Sequence, residues 1–157
     1  MAIFGNNVTG AGSGILDNTI LGSFYSPASS GEVTKITAYI QPATTGQNFK
    51  CAIYSYVSEG DVGSPITNGV SNQVNPGVTT VGWVDFTFAS NPSVVGGVNY
   101  YLVAWGNSVT GDGRLRSSGS GVNTGIEKAL TYGTFPSPMT GESVDNTTYC
   151  IYATYTP

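Results

Sequence analysis

The stretch VTKITAYI, residues 33–40, decides the fold. Ile36, Ala38 and Ile40 fall on one side of it, with Lys35 and Thr37 on the other. That period of two puts alternate side chains on opposite faces of a strand. The pattern recurs in GWVDFTF, residues 82–88, where Val84, Phe86 and Phe88 oppose Trp83, Asp85 and Thr87. It recurs again in FKCAIY, residues 49–54, where Phe49, Cys51 and Ile53 oppose Lys50, Ala52 and Tyr54. One buried and one wet face per strand is the pattern of antiparallel sheets. YYLVAW, residues 100–105, is apolar on both faces, and is expected at the centre of a sheet or against another subunit.

Other runs of β-branched and aromatic residues lie between turn residues: AIF (2–4), NTILGSFYS (18–26), KALTYGTF (128–135) and TTYCIYATYT (147–156). ITNGVSNQV (66–74) reads as a poor strand and RLRSS (114–118) as a short one. EGDVGSP (59–65) and SGSGVNTG (118–125) read as loops. TGAGSG (9–14) reads as a flexible tether, since no Lys-Ser/Thr and no helix pattern follow it. GIEKAL (125–130) offers at most one helical turn. The expected fold is all-β: one antiparallel, jelly-roll-like β-sandwich spanning residues 1–157, with about eight to ten strands and little or no helix.

Composition agrees. Only 9% of residues are charged, against roughly 25% in an ordinary soluble domain, so the residues that fill exposed helix faces are scarce. The net charge of −4 cannot neutralise a row of phosphates, which argues against nucleic-acid binding. The longest apolar runs are too short to cross a bilayer as a helix, so no membrane insertion is expected. MAIFGNNVTG lacks the basic and apolar regions of a signal peptide, and the initial Met favours a chain that does not use that route.

The chain has no histidine, which removes Ser-His-Asp and Cys-His catalysis and His-ligated zinc. No cofactor or metal is expected. Among carboxylates Asp85 is the best single candidate for glycosidase-like chemistry, weighed against a plain solvent-facing strand residue beside Trp83. Alanine there is expected to change stability at most. Asp61 and Asp112 lie in GDVG and GDG, where calcium loops and ordinary tight turns look alike. Arg114 and Arg116 share a strand face and could grip a carboxylate or sugar. The aromatic residues are the one recognition signal. Tyr54 and Tyr56 share a face, Trp83 and Trp105 lie in strands, and Tyr100 and Tyr101 are adjacent. Such rings contact glycans, anchor protein interfaces or pack in cores. Asn7 and Asn146 begin glycosylation sequons.

Cys51 and Cys150 are the only cysteines. Alternation points Cys51 inward with Phe49 and Ile53. In the last strand Ile151 and Ala153, with Tyr149 and Tyr155, make the better inward set, leaving Cys150 outward with Tyr152 and Thr154. Two strands of one sheet could not then supply the converging Cβ vectors of a disulfide, so both thiols are expected free. At the N-terminus, Ile3 and Phe4 form a short apolar strand that could fold onto the C-terminal strand of its own sheet or add to a neighbour's edge.

Together, NTILGSF, VTKITAYI with KCAIYS, GWVDFTF, YYLVAWG, LTYGTFPSP and the closing YCIYATYTP resemble β-sandwich domains of phage structural proteins and environmental bacterial and archaeal surface proteins. The resemblance covers nearly the whole chain and rests on strand cores and turns. It implies a jelly-roll-like sandwich at an extracellular or virion surface, and carries no catalytic residues. The expectation is a non-enzymatic structural subunit of a virion, fibre or cell-surface assembly, partnered by itself or other structural subunits. The alternative is a carbohydrate-binding or adhesion module that contacts surface glycans through exposed aromatic residues.

Overall fold

The computed structural model describes the backbone of residues 1–157 and every side chain except that of Asn123. It has twelve strands and no helix, a little above the eight to ten expected. Eight strands build two facing antiparallel sheets. The first sheet runs β1 (Ala2–Gly5), β12 (Ile151–Thr156), β4 (Gly31–Gln41), β7 (Gly82–Thr87). The second runs β3 (Thr19–Tyr25), β9 (Tyr100–Gly106), β5 (Phe49–Ser58), β6 (Asp61–Val70). Apart from the β5–β6 hairpin, successive members of the eight switch sheets, which is the jelly-roll order. β10 (Arg114–Ala129) extends the second sheet beside β3 and pairs Leu115 with Ile40 of β4, joining the two sheets at one corner. β2 (Gly12–Ile15) and β11 (Ser143–Tyr149) pair with β10, and β8 (Ser93–Val94) with β4.

The core between the sheets is the one alternation predicts. Ile36, Ala38 and Ile40 of β4 meet Phe49, Cys51 and Ile53 of β5, with Phe86, Leu102, Ile151 and Ala153 around them. Each large side chain buried there contributes about 1.5–3 kcal/mol. Val33 is buried as well, out of phase with Ile36, because a bulge against β12 skips Thr34. Such an extra residue resets which face the strand presents.

A second core lies on the outer side of β5 and β9, as the two apolar faces of β9 indicated and contrary to the wet face expected of β5. Ala52, Tyr54, Tyr101, Val103 and Trp105 point out of the sandwich and are buried with Ile126, Phe135 and Met139. The segment 130–142 lies over them as a cover. Expected in part as the strand KALTYGTF, it is irregular beyond Ala129. Asn18 anchors its start, with Oδ1 accepting from Tyr132 N at 3.0 Å. Glu142 anchors its end, accepting from Val62 N at 2.9 Å.

Four further expectations are corrected. The Gly-rich tether is partly strand: β2 pairs residue for residue with Arg114–Ser117 of β10. The polar stretch 118–125 is the middle of the 16-residue β10, not a loop, and is held by β11. Gly125 fits only because it lacks a side chain, since a Cβ there would lie 1.8 Å from Asp145 Oδ1. EGDVGSP reduces to a tight turn at Glu59-Gly60, where Gly60 takes φ +76°, and β6 begins at Asp61. The final run also splits, at Cys150, into β11 and β12.

Candidate functional site

The two outer faces of the sandwich differ in kind, and this sorts the residues singled out from sequence. Tyr54 and Trp105, expected on a contact face, belong to the covered side and are fully buried. Trp105 donates Nε1 to Leu130 O at 3.1 Å, and Tyr54 donates its hydroxyl to Pro136 O at 2.8 Å. Lys50 sits over the rings of Trp105, Tyr132 and Phe135, 4.7–5.6 Å from their centroids, and bonds Gly133 O. Burial lowers its ammonium's pKa. These groups fasten the 130–142 cover. Tyr56 is half-buried at the margin of the same face, stacked on Tyr101 at 5.6 Å. Burial pushes the Tyr101 phenol up to about 12, against a partial opposing effect from its bond with Gly60.

The outer face of the first sheet is open. Register places Tyr39 opposite Trp83, and Thr37 between Tyr152 on one side and Asp85 on the other. All of them point away from the core. Trp83 is 36% exposed. Its ring centroid lies 4.9 Å from that of Tyr39, inclined at 35°, and 5.3 Å from that of Tyr152, inclined at 69°. Two residues further along β7, Asp85 takes two bonds of 2.7 Å, one from Lys35 Nζ and one from Thr37 Oγ1. Partial burial alone would raise the carboxyl's pKa. The two bonds and the ammonium charge outweigh it and hold Asp85 below its usual range. The Lys35–Asp85 pair is solvent-accessible, so its own contribution to stability is small. Its consequence is a carboxylate fixed in direction beside an aromatic cluster.

Trp83 and Asp85 also line a groove of about 340 Å³, whose far wall is the loop after Val74 with Pro76, Val78 and Val81. A smaller recess of about 250 Å³ near Ile66 and Asn68 has no charged lining.

The remaining candidates are placed elsewhere. Arg114 donates to Ser13 Oγ at 3.3 Å and pairs with Asp112 at 3.2 Å. Arg116 bonds Ala11 O and Gln41 Oε1. The two arginines thus pin β2 and the corner of the sheets. Asp61 lies exposed at the start of β6. Among the described residues no three His, Cys, Asp or Glu side chains gather in a metal-holding group. Asn7 is exposed in the segment after β1, and Asn146 is exposed within β11.

Cys51 and Cys150 are free; Cys51 lies in β5 of the second sheet, and Cys150 sits at the break between β11 and β12, where the chain enters the first sheet. Cys51 is in the core and Cys150 is on the outer side, as alternation indicated. Cys150 is nevertheless buried, with Asn6 Nδ2 4.0 Å from its sulfur and Gly10 bonding it through its backbone. Burial raises both thiols' pKa values. Ile3 and Phe4 also part company: β1 lies along the chain's own β12, which puts Phe4 in the core and leaves Ile3 46% exposed.

Sequence reasoning missed Tyr39 and Tyr152. Both had the right parity in their strands. What was missing was the register that sets them beside Trp83. No protein-family model, no curated protein and no solved structure matches the chain.

Proposed function

We propose that the chain is a non-enzymatic structural subunit of a virion, fibre or cell-surface assembly, working outside the cell. The observation that carries this reading is the open edge of β1. Among the described residues β1 pairs only with β12, and it ends the first sheet. Its free backbone groups and the exposed Ile3 can accept a strand from another copy or from another structural subunit. The likeness of the strand motifs to phage and surface-protein domains supports the same reading. Sedimentation velocity at rising concentration tests it. Association that grows with concentration is expected, and Ile3→Lys should abolish it at unchanged melting temperature, since Phe4 stays in the core. A chain that remains monomeric throughout would remove the proposal.

A second reading, a carbohydrate-binding or adhesion module, is favoured by one observation of its own: the open cluster of Tyr39, Trp83 and Tyr152 beside the fixed Asp85 carboxylate. The exposed Ile3 stands opposite Thr154 on that same outer face, so the open edge adjoins the aromatic cluster, and one subunit can carry both contacts.

A further inference from the structure

We infer that the outer face of the first sheet, at Trp83 and Asp85, binds a soluble, uncharged oligosaccharide, one or two rings at a time. The inference rests on the glycan-binding reading and specifies its ligand. A sugar ring has an apolar C–H face and an edge of hydroxyls, so it needs an aromatic surface with directed polar groups alongside. Trp83 supplies the surface. Asp85 supplies the polar group. An ionised carboxylate has about four acceptor sites, of which Lys35 and Thr37 occupy two here. Its direction is fixed, with room left to accept from sugar hydroxyls. The Lys35 ammonium keeps donors beyond the one spent on Asp85. Along β7, Trp83 and Asp85 stand two residues apart on one face, or about 7 Å at strand spacing, the scale of one sugar ring. The adjoining groove of about 340 Å³ falls within the roughly 300–1,000 Å³ of small-molecule sites.

Charge and ring geometry narrow the ligand. The ammonium of Lys35 and the carboxylate of Asp85 cancel. Arg114 is engaged by Asp112, and Arg116 by Ala11 and Gln41. The face therefore offers no unspent charge to an acidic sugar, and the chain as a whole is negative. The three rings are not coplanar, since Trp83 is inclined to Tyr39 by 35° and to Tyr152 by 69°. A flat crystalline polysaccharide cannot lie on them together, whereas a free, twisting chain can meet them in turn.

The test is calorimetric titration of the full chain with cellohexaose, laminarihexaose, mannohexaose and xylohexaose, beside hexagalacturonate and a pull-down on crystalline cellulose. At least one neutral hexasaccharide should bind with Kd between about 1 µM and 1 mM. Trp83→Ala and Asp85→Asn should each weaken it at least about tenfold, with Trp83→Phe closer to the parent and melting unchanged. Binding of hexagalacturonate or cellulose alone would overturn the inference and leave the glycan reading standing. No binding by any saccharide would overturn both. Binding unaffected by either substitution would remove it from this face. Sedimentation of Trp83→Ala separates the outcome from the assembly proposal, since that variant should associate like the parent.

Discussion

Trp105→Ala should destabilise the protein by about 3–5 kcal/mol, the range for deleting a large buried ring. At roughly 2–4 °C per kcal/mol for a domain of this size, melting should fall by about 6–20 °C. Trp105 is fully buried between β9 and the 130–142 cover, in ring contact with Tyr132 and Phe135 and bonded to Leu130 O. Its loss leaves a cavity and also removes the support of Lys50, whose ammonium sits over the same rings. The cover should then loosen first, giving protease access within 130–142 before global unfolding. Trp83→Ala should move melting by no more than about 1–2 °C, the effect of roughly half a kcal/mol at the surface, because Trp83 stands on an open face. Thermal melts of the two variants side by side check the difference. Equal shifts would mean that the two outer faces are not distinct.

Deleting residues 1–10 should destabilise at least as much. The deletion removes Phe4 from the core, worth about 3–5 kcal/mol as a large-to-small loss, together with the whole β1–β12 ladder. It also strips the cover from Cys150, which Asn6 and Gly10 hold beneath them. In the intact protein both thiols should resist alkylation under native conditions, and both should react once denatured. In the truncated protein Cys150 should label readily and Cys51, inside the core, should not. Mass spectrometry of the labelled peptides reads this directly. Unchanged melting together with a protected Cys150 would show that the N-terminal segment is a passive tail.

Much of this architecture is legible in the chain because alternation is a local signal. The inward sets of β4, β5, β7 and β12 follow from parity alone, as does the separation of Cys51 from Cys150. What was not legible depends on neighbours distant in sequence. β10 runs through SGSGVNTG, whose glycines and serines have poor strand propensity. It is extended because β11, β2 and β3 supply its ladder partners, and tertiary pairing overrides local preference. The two apolar faces of YYLVAW announce that β9 is covered, but nothing in β5 or β9 says by what: the cover lies 25 residues after Trp105 and 82 after Tyr54. The open face shows the converse. Tyr39, Trp83, Asp85 and Tyr152 come from three strands, and only register assembles them. Asp85 was weighed as a lone carboxylate because Lys35 and Thr37 become its partners only when β4 and β7 pair.

The central claim is that one outer face of the sandwich is covered and structural while the other is open for contact. Acrylamide quenching of two single-tryptophan variants tests it most directly. In Trp105→Phe the remaining Trp83 should be quenched readily, toward the behaviour of a free indole. In Trp83→Phe the remaining Trp105 should be strongly protected and should become quenchable only on unfolding. A protected Trp83, or a Trp105 quenched as readily as Trp83 in the folded protein, would contradict the account.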